Sequence, residues 1–440
     1  MKDSAVNIVR TLRQQGHQAY LVGGCVRDLL LGREPADYDV ATDAEPGRVM
    51  SIFPRTVAVG ARFGVILVQT SDTAEENVEV ATFRSDGRYT DGRHPDEVRF
   101  TRDARQDVQR RDFTINGLLL DPLANNEVLD YVGGREDLKS GVIRTIGEPA
   151  RRFAEDKLRM LRAVRFAARF GYSIEAATLR AIQGLAPRIN DVSHERVRDE
   201  LVKMLTEGHA RRAFELLDEA RLLREILPEV SKMKGIAQPP QFHPEGDVWV
   251  HTLLLLEKLP ENCPATLALG ALLHDVGKPP TFRAAPDRIR FDNHAEVGTR
   301  MAEEICQRLR LSNAETEQVC ALVGNHMRFA ELKRMRESTL KRFLRQPRFD
   351  EHLEMHRIDC LSSHGDLSLY EFAKEKLAST PQEQIRPGPL ITGDDLIAAG
   401  YVPGPRFKQI LAAVEDAQLE GRISSREQAL ELARSEFSAR

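Results

Sequence analysis

The sequence predicts an α+β fold whose strands are confined to the first third of the chain, with a helical remainder. Three observations carry that expectation. The stretch Tyr20–Val40 reads as a buried strand, a glycine corner, a short helix and a second strand. Residues 77–84 alternate with the two-residue period of a strand. From Arg152 onward apolar positions recur at helical spacing, starting with one helix over Arg152–Phe170 that Gly171 ends.

At the start, residues 4–16 have helical periodicity and Gly16 suits a C-cap. Gln18–Val22 follows as a strand. Gly23 and Gly24 leave backbone N–H groups open to close approach by a phosphate, Arg27 can fork onto that phosphate, and Asp28 can hold the arginine. Asp37 and Asp39 flank Tyr38 and lead into apolar Val40 and Ala41. On a strand, side chains two apart share a face, so the two carboxylates converge. A carboxylate pair beside a glycine corner suits Mg²⁺ shared with phosphate oxygens, whereas a plain acidic turn would not sit in a strand.

Arg62–Gln69 and Asn77–Arg84 are further strands, and the second carries Glu79 as a third acid beside the pair or as a solubilising edge charge. Ser85–Pro95 is polar and glycine-rich, which predicts a long mobile loop able to act as a lid or a nucleotide-ordering element. Arg110, Arg111 and Asp112, followed by Phe-Thr-Ile-Asn116, form a dense polar cluster expected to open a short helix. Its arginines can hold a triphosphate, and Asp112 or Asn116 can meet a ribose hydroxyl. A small hairpin over 121–134 and a closing segment over 138–146 complete the first region.

Composition narrows the class. A chain of 440 residues is too long for one core and suggests two to four domains. A net charge of −4 argues against a wholly basic nucleic-acid binder. Yet Arg151–Arg180 holds eight basic and three acidic residues, which is either a phosphate-backbone surface or a solvated helix face. No apolar run spans a bilayer and no signal-peptide core is present, so no membrane partner is expected. Five scattered cysteines without CxxC read as reduced thiols in a cytoplasmic protein.

The motifs Leu21–Gly32, Asp37-Tyr-Asp39, Val78–Arg84, Arg110–Asn116 and Glu155–Phe166, in that order, resemble class II tRNA nucleotidyltransferases, which include CCA-adding enzymes and bacterial poly(A) polymerases. The likeness covers roughly residues 18–230. It implies a polymerase-β-like nucleotidyltransferase head on a small mixed sheet, followed by an all-α neck. It also implies that Asp37 and Asp39 bind two Mg²⁺ for in-line phosphoryl transfer. Gly23, Gly24 and Arg27 would hold the triphosphate, and Arg111, Asp112 and Asn116 would sit at sugar and phosphates. Asp156 and Arg159, three apart on a helix, would read the incoming ATP or CTP without a template; the bland alternative is an intrahelical ion pair. Arg162, Arg165 and Arg169 could face nucleotide, tRNA backbone or water. The expected partners are ATP, CTP and the 3′ end and acceptor arm of tRNA.

Ser193 is placed to N-cap a helix, and helices continue through Leu227. Gly235–Gly246 is rich in proline and glycine and reads as a linker. Beyond it, His251, the His274-Asp275 pair, His294, His326 and Asp359 lie on or at the ends of apolar helices. Imidazoles and carboxylates converging inside a helical bundle make a divalent-metal site. The order His…His-Asp…Asp resembles HD-superfamily phosphohydrolases. That likeness implies a first metal on His251, His274, Asp275 and Asp359, with His294 and His326 supporting a second, Lys278 meeting a phosphate, and a phosphoester as substrate. A purely structural HD domain is the alternative.

The expected organisation is a head over 1–147, a neck over 148–234, a linker over 235–247, an HD-type domain over 248–370 and a helical tail over 371–440. The leading expectation is CCA addition to tRNA. Within the same chemistry the alternatives are a poly(A) polymerase or an A-adding enzyme. In another class it is an HD phosphohydrolase with an RNA-binding head, or a non-catalytic RNA-binding scaffold.

Overall fold

The computed structural model describes residues 1–70, 77–87, 92, 97–241, 243–286 and 288–437. It divides into two compact units, Met1–Ser231 and Lys232–Arg440.

The first unit is built on a seven-stranded sheet. Its strands are β1 (Ala19–Val22), β2 (Asp39–Thr42), β3 (Thr56–Gly60), β4 (Val65–Gln69) and β5 (Asn77–Thr82), joined by β8 (Leu118–Asp121) and β9 (Glu127–Asp130). Two short strands outside the sheet, β6 (Arg84–Asp86) and β7 (Val98–Phe100), pair with each other as an antiparallel ribbon. The sheet order is β3-β4-β5-β2-β1-β8-β9. Only β2 and β5 pair in parallel, so the sheet is mixed, as expected.

The register decides where the chemistry sits. Val22, the last residue of β1, lies opposite Asp39, the first residue of β2. The glycine corner after Val22 therefore emerges beside Asp39. Across the parallel pair, Asp39 is in register with Glu79, so both side chains share a face. Val22, Ala41, Phe83, Val108 and Leu119 are buried together and anchor this region.

Three local expectations are corrected. β2 begins at Asp39, so Asp37 precedes the strand, although exposed Asp37, buried Tyr38 and half-buried Asp39 keep the strand-like alternation. Arg110–Asp112 do not open a helix: they follow the helix Ala104–Gln109, and Thr114–Asn116 is a single 3₁₀ turn. The helix predicted over Arg152–Phe170 is two helices, Pro149–Glu155 and Leu158–Phe170. It breaks at Asp156, whose backbone is extended and whose carboxylate accepts from Leu158 N at 3.1 Å. A short acidic side chain that satisfies nearby backbone N–H competes with helix continuation. Most of the predicted loop over 85–95 lies outside the described residues.

Among the described residues the second unit is helical apart from one short antiparallel pair, Phe282–Ala284 with Ile289–Phe291, which the expected helical domain does not include. Val248–Glu257 and Ala265–Leu273 are apolar nearly all round, as buried helices are. They pack with Asn313–Asn325 and Phe349–Ser362, and His294–Arg308 packs on Asn313–Asn325. The last helices, Gly393–Ala398, Pro405–Leu419 and Arg426–Glu436, share a core of their own around Leu396, Tyr401, Ile410 and Val414. That tail is fastened to the helix Glu337–Leu344 and the residue after it. Lys341 donates to the Leu419 carbonyl at 2.7 Å, and Arg345 pairs with Glu415 at 2.7 Å. Among the described residues no helix is long and apolar enough to cross a membrane, and all five cysteines are free thiols.

Two glycines let the bundle close. A Cβ on Gly277 would lie 2.1 Å from the His294 carbonyl oxygen and 2.6 Å from Gly298 N. The corner after His274-Asp275 thereby reaches the start of the helix that carries His294. Gly277→Ala should therefore cost about 1–3 kcal/mol through overpacking. A fall of several degrees in the melting temperature of the metal-free protein checks this, and an unchanged melt would refute it.

Candidate active site and metal centre

In the first unit a cleft of about 480 Å³ is lined by Gly23, Gly24, Asp37 and Asp39 at one side and by the helix Leu158–Phe170 with its preceding break at another. Seven arginines and five aspartates line it, so its walls favour a polyanion while its floor favours a cation.

Gly23 has φ +77°, a conformation a side chain would strain. A Cβ there would also come 3.4 Å from Arg111 Nη1 and 3.9 Å from Asp39 Oδ2. The corner, a cation and a carboxylate thus meet around one small space. Burial, with Asp37 and Glu79 adding repulsion, pushes the Asp39 carboxyl up to about 7. Clustered carboxylates that resist ionising together are stabilised by a shared cation, which tests the fit of Mg²⁺ to this donor set.

Every arginine of the cleft is held from behind. Arg27 donates to Asp28 at 2.8 and 3.0 Å and to Asn116 Oδ1 at 2.8 Å, while its guanidinium lies 4.7 Å from the Phe170 ring centre. Asn116 Nδ2 donates to Asp112 at 3.1 Å, and Arg162 donates to Asp112 Oδ2 at 2.9 and 2.7 Å. Arg162 and Arg165 approach Glu200 at 3.9 and 2.7 Å, and Arg165 and Arg169 both approach Glu207 at 3.7 Å. Arg110 and Arg111 share the buried Asp107 at 2.7 and 3.0 Å. With Nε and Nη2 of Arg111 on Asp107, its Nη1 is the donor left toward the glycine corner.

The basic run over 151–180 divides: Arg162, Arg165 and Arg169 pair with Asp112, Glu200 and Glu207 from elsewhere in the chain, Arg152 and Arg159 pair with Glu155 inside the run, and Arg151 and Arg180 are exposed. Asp112 and Asn116 bond to Phe113 N, Arg27, Arg162 and each other, and so orient arginines. Asp156 and Arg159 both line the cleft but do not pair with each other. Asp156 accepts from Arg196 at 3.2 and 2.8 Å; Arg159 donates to Glu155 at 2.9 Å and to the Arg110 carbonyl at 3.2 Å. The roles of Asp107, Glu155, Arg196, Glu200 and Glu207 lie beyond what the sequence motifs identify. Only Asp107 and Glu155 left a signal, the three- and four-residue spacing to the arginines they hold.

In the second unit all six predicted metal-type residues converge. His251, His274 and Asp359 form one group, and Asp275, His294 and His326 another. Asp275 bridges them, 3.1 Å from His274 and 3.7 and 3.8 Å from His294 and His326. The imidazoles are oriented alike. Nδ1 of His274, His294 and His326 faces the carbonyl of Ala271, Phe291 and Val323 at 2.8, 2.9 and 2.7 Å, and Nδ1 of His251 faces Glu245 at 2.7 Å. A carbonyl only accepts, so each of those three Nδ1 atoms carries the proton and each neutral ring has its lone pair on Nε2. Nε2 of His251 and His274 then face each other at 3.3 Å, and those of His294 and His326 at 3.2 Å. Opposed lone pairs and a buried Asp275 whose oxygens make no well-aligned hydrogen bond suit a divalent cation between them.

Protons compete for the same places. Burial lowers the His251 pKa, but Asp359 and Glu245 outweigh it and carry it up to about 9. Burial drives His326 down to about 4, keeping it neutral and ready to ligate. Lys278 sits 2.7 Å from Asp275 and donates to Gln238 at 2.6 Å, beside a cavity of about 500 Å³. The segment expected to be a linker is therefore part of this centre. Gln238, His243 and Glu245 pack on it, hidden in the sequence because proline and glycine dominate their neighbourhood.

Three family models match the chain: the poly A polymerase head domain over residues 19–144, the probable RNA- and SrmB-binding site of polymerase A over 171–234, and the HD domain over 247–361. The chain thus carries a poly A polymerase head domain, a polymerase A RNA-binding region and an HD domain. It is similar to the CCA-adding enzyme of Geobacillus thermodenitrificans, 45% identical over 50% of this chain and 53% of the relative. It is likewise similar to that of Lactobacillus helveticus, 38% identical over 59% and 64%. The matched region thus spans about half the length of the first of these curated relatives. The solved CCA-adding enzyme of Bacillus stearothermophilus in complex with CTP superposes with a TM-score of 0.74 at 27% identity, over 98% of this chain and 97% of that one. The Thermotoga maritima CCA-adding enzyme complexed with tRNA shares the fold, with a TM-score of 0.60 at 21% identity over 98% and 95%.

Asp112 supplies a pH test of the network. Burial raises its pKa, but Arg162 and Asn116 overcome this and hold it down to about 2. A depressed folded-state pKa stabilises above the unfolded value near 4, and that stability is lost as pH falls toward 2. The expected contribution is about 2 kcal/mol. Denaturant melts of the wild type between pH 6 and 2 should show the loss, and Asp112→Asn should start destabilised at pH 6 with a flatter acid limb. Parallel limbs would refute the role.

Proposed function

We propose that the chain is a template-independent RNA nucleotidyltransferase that adds CCA, from CTP and ATP, to tRNA 3′ ends. One observation carries the reading: a single cleft combines Asp37 and Asp39 at the glycine corner with Asp156 and Arg159. The names of the similar enzymes support it.

In this reading Asp37 and Asp39, with Glu79 in register beside Asp39, hold the catalytic Mg²⁺. Bound there, the metal supplies a polarised 3′-hydroxyl and charge stabilisation for the departing pyrophosphate. Gly23, Gly24, Arg27 and Arg111 receive the triphosphate through backbone N–H groups and guanidinium donors. Asp112 and Asn116 keep Arg27 and Arg162 aimed. Asp156 offers an acceptor and Arg159 donors to the base edge, each fixed by Arg196 or Glu155 so that the pair is rigid. The head (1–147) and neck (148–234) would form this machine, working in the cytoplasm. The HD-type domain (248–370), carrying a divalent metal on His251, His274, Asp275, His294, His326 and Asp359, would add phosphohydrolase activity. The opposed imidazole pairs favour that second activity over a purely structural domain.

Asp37→Ala or Asp39→Ala should lower incorporation of labelled CTP and ATP at least about a thousandfold, since the metal's charge stabilisation is worth several kcal/mol. Asp275→Ala should leave incorporation intact. Incubating the wild type with tRNAs ending before CCA, after C and after CC, with each nucleotide alone and both together, tests the product. Growth stopping at CCA is expected; extension beyond one terminal A would overturn the reading in favour of poly(A) synthesis, and failure to add C would favour an A-adding enzyme.

A further inference from the structure

The segment before the first helix of the bundle holds a carboxylate that the bundle's own packing does not require. Glu245 is nearly buried, its side chain 8% exposed. Its Oε1 lies 2.7 Å from His251 Nδ1 and 2.9 Å from His243 Nδ1. Its Oε2 is buried with no hydrogen-bond partner among the described residues. Burying a carboxylate with one oxygen unsatisfied is costly, so folding alone does not account for it.

The other three cluster imidazoles are oriented by the backbone carbonyl three residues before each. His251 differs. It lies within the helix Val248–Glu257, where the carbonyl three residues before it, that of Val248, already accepts the Thr252 hydroxyl at 2.8 Å, and its Nδ1 faces Glu245 instead. An external acceptor is needed to hold the Nδ1–H tautomer and direct the Nε2 lone pair at His274 and Asp359. Glu245 meets that need, and a carboxylate does more than a carbonyl because its charge makes the ligating nitrogen more basic.

We propose that Glu245 is the positioning carboxylate of the metal centre and that the segment bearing it is thereby a working part of that centre. Holding His243 with the same oxygen, Glu245 also fixes that ring at the rim of the cavity. The segment is secured at further points: Asp247 accepts from Gly235 N at 2.6 Å and Val248 N donates to the Ile236 carbonyl at 3.0 Å. Metal capture by His251 should therefore tighten this stretch. The inference rests on the metal-centre reading of the HD-type domain.

The test uses the full chain, stripped with chelator and titrated with Co²⁺, followed by calorimetry and by the visible absorption of the bound ion. Glu245→Ala should weaken Co²⁺ at the group containing His251 by roughly 10–100-fold and alter the absorption band. Glu245→Gln, which keeps an acceptor but loses the charge, should weaken it by at least several-fold. Amide exchange over residues 235–247 should slow on Co²⁺ addition in the wild type and not in Glu245→Ala. If Glu245→Ala does not fold, Glu245→Gln decides: weaker binding supports the role and wild-type binding overturns it. Both variants titrating like the wild type would also overturn it. No Co²⁺ uptake by the wild type itself would instead overturn the metal-centre reading.

Discussion

The pairing of β1 with β2 at Val22 and Asp39 is the constraint on which the first unit depends. It brings the end of one strand, where the chain must turn on Gly23, to the beginning of another, where a carboxylate stands. The parallel neighbour β5 then adds Glu79 at the same level. Negative charge is thereby concentrated at one point of a half-buried surface, and Asp39 pays for it by holding its proton up to about pH 7. Such a point resists remaining without a cation. Slipping the register by one residue would turn Asp39 to the opposite face, so the sheet core of Val22, Ala41 and Leu119 protects the chemistry as well as the fold.

Around that point the protein solves a second electrostatic problem. Seven arginines lining one cleft would repel one another, and a polyanion would meet a disordered set of long side chains. Carboxylates behind them, Asp28, Asp107, Asp112, Glu155, Glu200 and Glu207, cancel much of that repulsion and fix guanidinium orientation. The cost of ordering is met during folding, so less remains when a nucleotide enters. The break at Asp156 belongs to the same design: an uninterrupted helix would pair Asp156 with Arg159, whereas the break lets each be held by a different partner.

The second unit uses geometry of another kind. Glycines at 277 and 298 bring the backbone after Asp275 against the helix that carries His294, and backbone carbonyls orient imidazoles. Two sets of nitrogen lone pairs then face inward around a bridging carboxylate. Lys341 and Arg345 fasten the tail to the bundle.

What the sequence by itself determined were residues whose chemistry is local: Gly23 and Gly24 at a corner, Asp37 and Asp39 by two-residue periodicity, and histidines standing out on apolar helices. The strand and helix assignments followed from the same short-range patterns, and the mixed sheet and the convergence of His251, His274, Asp275, His294, His326 and Asp359 agree with them. Tertiary structure decided which acid serves which base. Arg162 meets Asp112, Arg165 meets Glu200 and Asp156 meets Arg196 across 35 to 50 residues of chain, and no local period encodes such pairings. It also turned a proline-rich stretch into the support of a metal-type cluster. Composition reports how readily a backbone bends, whereas burial of Glu245 against His251 depends on what the folded bundle brings beneath it.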